Sequence, residues 1–420
     1  MRVVQPVGWA FFPLDEELAL VPGQYTPKVY ENLVRLSTWM PFEQAVKTLA
    51  GILGVQVSKA SAVRITEQAG AAYVGSQAEA VSQLEQKAPP APKGAEQIVL
   101  SADGAMVPLL HGEWGEVKTL AIGEVVVTPQ GEIRTHKLSY FSRLASAADF
   151  TRLSLVETQR RGVENSQRVA AIQDGAEWLQ GLVDYHCPQA VRILDFPHAG
   201  QRITEIGQTL SRQECPSVVE WQKQWLHSLK HEGPQPLLKE LRRLQSNQPH
   251  NELLQSNLAY LEKRQAHMAY PHFVQQGWPI GSGMVESANK NVVEARLKGA
   301  GMHWQRTHVD PLLALRNIVC CDRWDEAWPQ IETHLRAQTY QQRTHHAKQR
   351  CKARAAQAGS PKPLSTPATP LLTQPSSPTP TTPPTRSTQT QSPKRPSANH
   401  PWRRSPIGKA RFQNPQLAKS

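Results

Sequence analysis

Residues 279-PIGSGMVESANKNVVEARLKGAGMHW-304 decide how the rest of the chain is read. The stretch opens on a Gly281-Ser282-Gly283 turn. Met284, Ala288, Val292 and Ala295 then recur at helical spacing, and Gly299 and Gly301 stop the pattern. Glu286 falls in the first turn of this helix, on the face opposite those apolar positions. Lys290, Arg296 and Lys298 follow it. A carboxylate beside a glycine turn, on a helix that ends basic, suits a metal ligand near phosphate. The same pattern also describes a surface helix with an acid well placed at its N-terminus.

Three further stretches bear on the choice. In 96-EQIVLSADGAMVPLL-110, Ile98 to Leu100 read as a buried strand that ends at Asp103-Gly104. In 168-RVAAIQDGAEWLQGLVDYH-186, Val169 to Ile172 read as a strand, Asp174-Gly175 ends it, and a helix follows. In 190-AVRILDFPHAGQRI-203, Val191 to Leu194 form a strand, Asp195 ends it, and His198 comes three residues later. Acids at strand ends beside glycine are common in α/β folds. Three of them, with a Gly-flanked Glu on a later helix, point together to metal-assisted phosphate chemistry.

The set resembles the DDE transposases of bacterial insertion sequences, in the Mutator-like branch and nearest the Kra-type group. The matching residues are 102-ADG-104, 173-QDGAEW-178, 194-LDFPHA-199, 279-PIGSGMVESANK-290, 296-RLKGAGMHW-304 and 315-LRN-317. The resemblance spans about residues 10–330, and the PIGSG-x-VES block with RLKG-x-GM-x-W behind it is its most specific part. It implies an RNase H-like catalytic core, metal-dependent DNA strand transfer, and multimers acting on DNA in a bacterial cytoplasm, associated with the nucleoid. In that family a segment like the one at Leu14-Asp15-Glu16 commonly follows a cysteine-rich zinc-binding piece. Here the expectation is either a member lacking that piece or a shortened reading frame.

Composition sets bounds on the partners. The formal net charge is +12, but no acid follows Glu332, and 15 cations lie beyond it. Residues 1–332 therefore carry 32 cations against 35 acids, a net of −3. The basic character belongs to the C-terminal arm, which suits salt-dependent attachment to nucleic acid phosphates. No apolar run reaches the length of a membrane span, and the N-terminus lacks a signal peptide's plan, so no membrane is expected as a partner. Five cysteines without C-x-x-C spacing suggest reduced thiols rather than disulfides or a zinc knuckle.

The expected architecture is α/β. Residues 1–87 form a helical N-terminal domain, with a helix-turn-helix pattern between Pro41 and Gly70. Phe42, Ala45, Val46, Leu49 and Leu53 make one face, Gly54-Val55 the turn, and Ser58 caps a second helix. Lys59, Ser61 and Arg64 are then its candidate DNA-reaching positions, and an ordinary helical hairpin is the plainer alternative. Residues 88–95 form a Pro-rich linker. Residues 96–203 hold the first part of the RNase H-like core, 204–275 an all-α insertion, and 276–336 the last part, with the Glu286 helix. Trp114 reads as a packed aromatic, and Trp221, Trp225 and Leu229 as the insertion's own core. Residues 337–420 read as a basic, Pro/Ser/Thr-rich disordered tail.

In an RNase H-like order, strand one carries the first acid and the end of strand four the second. Counting strands assigns Asp103, Asp174 and Glu286 as catalytic and metal ligands. The rival set has Asp195 in place of Asp174, with His198 as its D-x-x-H partner. Lys290, Arg296 and Lys298 join the helix-turn-helix positions as candidate DNA contacts. Oxygen ligands and a phosphodiester substrate favour Mg²⁺, with Mn²⁺ able to substitute, as two cations about 4 Å apart. The resemblance then implies hydrolysis at the element's terminal inverted repeat, followed by transesterification of the 3′-hydroxyl into target DNA. Two other readings stay open: another RNase H-like nuclease, and a catalytically silent, transposon-derived DNA-binding protein.

Overall fold

In the computed structural model, which describes residues 25–87, 89–210 and 217–358, β1 (Gln97–Pro108) is the central strand of a five-stranded sheet. Its residues alternate between two buried faces, as a period of two requires. Ile98, Leu100 and Ala102 point to one apolar cluster, and Val99, Ala105 and Val107 belong to clusters on the other side. Asp103 has the parity of Ala105 and Val107, so it faces their side of the sheet.

β2 (Trp114–Val127) pairs antiparallel with β1, and β3 (Ile133–Arg143) antiparallel with β2. The tip between them, Thr128 to Glu132, closes on Gly131 at φ 80°, where a side chain would be strained. The short helices α4 (Ala147–Leu153) and α5 (Leu155–Arg160) lead to β4 (Arg168–Gln173), which runs parallel to β1. α6 (Glu177–His186) returns the chain to β5 (Val191–Leu194), parallel to β4. The spatial order is β3-β2-β1-β4-β5. Phe150 and the Leu179, Leu182, Val183 stripe of α6 cover one face.

The other face is covered by helices that come later in the chain. α7 (Phe196–Thr209), α8 (Val218–Glu232), α9 (Pro234–Asn247), α10 (Glu252–Lys263) and α11 (Tyr270–Gln275) bury leucines together with Trp221 and Trp278 against Val99, Ala170, Ile172 and Ile193. The described part of the stretch expected as an all-α insertion is thus built of helices joined by short turns, with Trp221 buried and Trp225 partly buried in its core. Next come α12 (Gly283–Ala288), a π-turn (Asn289–Glu294) and a closing turn (Ala295–Leu297), which pack on Ala105, Val107, Val117 and Ala121.

The N-terminal helices are not set apart. α1 (Pro27–Trp39), α2 (Phe42–Leu53) and α3 (Lys59–Gln86) share one core with α13 (Arg306–Cys320) and the first turns of α14 (Trp324–Ala358). Gly70 of α3 lies so close to Pro311 of α13 that a methyl group would overlap the proline's backbone. The Pro-rich linker is likewise pinned. Gln159 donates to Pro89 O at 2.9 Å, and Asn165 to Ala91 O at 2.8 Å. Residues 25–358 belong to one compact unit, so the expected boundary at 88–95 marks a change of element and not of body. A helical pair alone buries too little, and here its partners lie some 250 residues further on.

Two more expectations need correction. The helix expected to give way to a tail at residue 337 continues to Ala358. Residues 337–358 lack proline and are rich in Ala, Gln, Arg and Lys, all good helix formers. Trp114, expected to be packed, is 58% exposed at the β1–β2 end of the sheet. The readings of residues 1–24 and of the tail beyond 358 lie outside the described residues. Among the described residues, no helix is long and apolar enough to cross a membrane.

Candidate active site

Asp103 sits in mid-strand, half-buried, with its side chain on the α12 side of the sheet. Its Oδ1 accepts from the Gly104 amide at 2.7 Å, and its Oδ2 accepts from Asn289 Nδ2 at 2.9 Å. Burial pushes its carboxyl above the usual range. The Gly104 bond opposes that shift and the nearby charge of Asp174 adds to it. A carboxylate that feels another carboxylate in a partly desolvated place is a common setting for a cation.

Asp174 follows β4, the strand next to β1, where the chain turns out of the sheet. Its Oδ1 accepts from the Ala176 amide at 2.8 Å, an Asx-type turn that leads into α6. The turn brings Gly175 to φ 86°, open to glycine at little cost.

Asp195 ends β5 and is fully buried. It caps α7: its Oδ2 accepts from the His198 amide at 3.0 Å and bonds His198 Nδ1 at 2.6 Å. Its Oδ1 accepts from the Ser282 amide at 2.6 Å. Burial alone would raise this carboxyl, but the His198 and Ser282 bonds outweigh it and hold it low. Both oxygens are engaged and none faces open space. Asp195 therefore ties the Gly281-Ser282-Gly283 turn to the end of the sheet. His198 is raised first by its bond to Asp195, against burial, with the charges of Asp195, Asp174 and Asp103 adding to it. It stands within electrostatic reach of all three aspartates.

Glu286 is exposed on α12, and its carboxylate makes no hydrogen bond or ion pair among the described residues. Three residues later on the same helix, Asn289 makes the contact to Asp103 instead. The Asn289 carbonyl Oδ1 is buried and has no hydrogen-bond partner among the described residues. Among the described residues, no three His, Cys, Asp or Glu side chains are gathered closely enough to hold a metal ion. The chemistry of Asp103 and Asp174 nonetheless suits a hard cation that keeps several of its waters. The orphaned Asn289 oxygen, on the side chain that bonds Asp103, adds one more uncompensated acceptor.

No protein-family model and no curated protein matches the chain.

The candidate DNA contacts divide. Lys59 and Arg64 are exposed on α3 and Ser61 is half-buried there. Lys290 is exposed, and Lys298 pairs with Glu294 at 2.6 Å. Arg296 is not a surface residue. It is 1% exposed, its guanidinium lies 4.8 Å from the Phe42 ring and 5.3 Å from the Trp304 ring, and its Nε donates to Ser37 O at 3.0 Å. Burial, with Arg316 nearby, lowers it to about 10, so it stays charged at neutral pH. It fastens the end of the Glu286 helix to the N-terminal helices, a role opposite to the one expected. The π-turn accounts for the misreading. An extra residue in one turn rotates every later side chain by about 100°. Ala295, expected inside, is exposed, and Arg296 takes the inner position.

Ser282 and Asn289 went unnoticed in the sequence. Asn289 carried one usable signal: it stands at i+3 from Glu286, on nearly the same face.

Proposed function

We propose that this chain is a DDE-type transposase of an insertion sequence, with an RNase H-like core, acting on DNA by metal-dependent strand cleavage and strand transfer. One observation carries the reading. Asp103 in the central strand and Asp174 at the end of its parallel neighbour stand on adjacent strands, near enough for the Asp174 charge to add to the raised Asp103 carboxyl. The mixed order β3-β2-β1-β4-β5, with β2 reversed, is the order such a core requires.

Asp103 and Asp174 would hold Mg²⁺ or Mn²⁺, which supplies Lewis acidity at the phosphodiester and an activated oxygen nucleophile. The chain's own residues do the rest. Asn289 orients Asp103, and the Asp195–Ser282 bond docks the turn from which α12, and with it Glu286, begins. His198, whose hold on a proton is raised first by its bond to Asp195 and further by the charges of Asp174 and Asp103, stands beside these acids. Glu286 is the third acid, one turn before the residue that touches Asp103. DNA is the partner: the terminal repeats, then the target. Beyond the core, α14 carries Lys348, Arg350 and Lys352 on exposed turns, with no acid after Glu332. Action as a homo-oligomer on DNA, near the nucleoid, belongs to the same proposal.

The exposed, unengaged Glu286 favours one rival, a silent DNA-binding descendant of a transposase. Incubating purified protein and Mg²⁺ with a labelled duplex of the element's end and a target plasmid separates the readings. A transposase cleaves and then joins the labelled strand to the plasmid. A nuclease of the same fold cleaves without joining. The silent protein shifts the duplex and leaves it whole.

A further inference from the structure

The turn at Asp174 is shaped from outside the sheet. Tyr260 of α10 donates its hydroxyl to the Asp174 carbonyl. Arg264, just past the end of α10, donates from Nε to the Gly175 carbonyl at 3.2 Å and from Nη2 to the same oxygen. The two side chains brace each other, with the Arg264 guanidinium 3.9 Å from the Tyr260 ring centroid. Arg202 of α7 lies 4.8 Å from the same ring. Lys263 reaches Glu177 of α6 at 3.4 Å. The contact leaves no slack. A Cβ placed on Gly175 would lie 2.6 Å from the Tyr260 oxygen and closer still to Arg264.

Two consecutive main-chain carbonyls, at Asp174 and Gly175, are thus held by side chains 86 and 89 residues further on. The Asp174 carboxylate takes its direction from this turn, since its Oδ1 is fixed on the Ala176 amide within it. An ordinary core contact would bury apolar surface. Here a phenol hydroxyl and a guanidinium fix the backbone of a candidate ligand, which is what a positioning contact does.

We infer that Tyr260 and Arg264 are positioning residues for Asp174, and that the helical segment between β5 and α12 serves to set the direction of that carboxylate. The inference rests on Asp174 being a working acid of the proposed site. It gives the inserted helices a task in that site besides filling their own core. A shift of α10 would carry the Asp174 turn with it.

The test uses the full-length protein and Mn²⁺ as probe, with binding followed by calorimetry and by the Mn²⁺ paramagnetic resonance signal, and melting recorded in parallel. Tyr260→Phe removes one hydroxyl and keeps the ring. Arg264→Lys keeps the charge and loses the fork. Both variants are expected to bind Mn²⁺ about tenfold more weakly than wild type while still folded, the usual size of an outer-shell loss. Arg242→Gln on α9, which breaks an exposed pair with Glu262 of α10, is expected to bind as wild type. A merely structural role would lower melting in Tyr260→Phe and Arg264→Lys and leave the Mn²⁺ affinity of the folded protein unchanged, which overturns the inference. If Tyr260→Phe does not fold, Arg264→Lys alone decides by the same criterion. Wild type that binds no Mn²⁺, or Asp174→Asn that binds it normally, removes the underlying reading of the site and this inference with it.

Discussion

Asn289 donates its side-chain amide to Asp103 across 2.9 Å, so the helix carrying Glu286 touches the sheet at the acid in the middle of β1. A single hydrogen bond thereby joins the two halves of the proposed site, 186 residues apart. Replacing Asn289 with Leu leaves a partly buried carboxylate oxygen unpaired. The expected cost is about 1–3 kcal/mol, read as a lower denaturant midpoint at unchanged slope. Asn289→Asp should behave differently, because it sets two carboxylates against each other. Its melting temperature should fall below wild type at neutral pH and recover as the pH drops and one of the pair takes up a proton.

Asp103 itself should cost the fold stability. Its carboxyl is raised above its unfolded value, so the folded state holds the proton more tightly. The charged form is thus disfavoured by folding. Stability drops as pH rises from the unfolded carboxylate value through the raised folded one. Asp103→Asn also sets an NH₂ group against the Gly104 or Asn289 donor, so the sign is read from the slope: wild type should lose stability relative to the variant as pH rises from about 4 to neutral. Thermal melts of both proteins across that range check the sign. A difference that does not change with pH would mean that the acid is not desolvated.

Asp195 should show the reverse. Its carboxyl is held low, so its contribution is present above the unfolded carboxylate range and lost as pH falls through the folded value. His198 is raised, so its share is full below its unfolded value near 6.5 and is lost as pH rises through the folded one. The pair is strongest in between, in mildly acidic solution. Asp195→Asn removes the charge and places an NH₂ group against donors of His198 or Ser282. A loss on the order of 3 kcal/mol is expected, greatest in that window.

Gly70→Ala tests whether the N-terminal helices belong to the same body as the rest. The added methyl would overlap Pro311 backbone, and neither helix can give way without opening the shared core. A loss of about 3 kcal/mol is expected, as one cooperative transition. A separate, earlier transition of the N-terminal helices alone would contradict the shared core.

The basic turns of α14 should report on DNA through salt. Changing Lys348, Arg350 and Lys352 to Gln should reduce the slope of log affinity against log salt by up to about 3 for a random duplex. An unchanged slope would show that those turns do not meet phosphate.

The strands were legible because a period of two with Val, Ile and Leu survives in a single sequence. Ile98 to Leu100, Val169 to Ile172 and Val191 to Leu194 lie in β1, β4 and β5 respectively. Asp174 and Asp195 stand where the sequence puts them, just after β4 and β5, whereas Asp103, expected to end its strand, lies in mid-strand because β1 runs on to Pro108. What lies beyond reach is contact over long separations. Nothing near Tyr260 or Arg264 marks them as holding a turn 86 residues earlier, and nothing near Gly70 points to Pro311. Arg296 was misread for a local reason. A cation late in an amphipathic helix resembles a surface charge until a π-turn rotates it inward between two aromatic rings. The tail was drawn too long because its charge was weighed and its lack of proline before residue 361 was not.

The central claim is that Asp103 and Asp174, rather than Asp195, do the chemistry. The most direct measurement is Mg²⁺-dependent strand cleavage of a labelled duplex carrying the element's terminal repeat. Wild type would be compared with Asp103→Asn, Asp174→Asn and Asp195→Asn, below the melting temperature of each. The account predicts no cleavage by Asp103→Asn or Asp174→Asn, and partial cleavage by folded Asp195→Asn. Normal cleavage by Asp174→Asn, with folded Asp195→Asn inactive, would contradict it and make Asp195 the working acid.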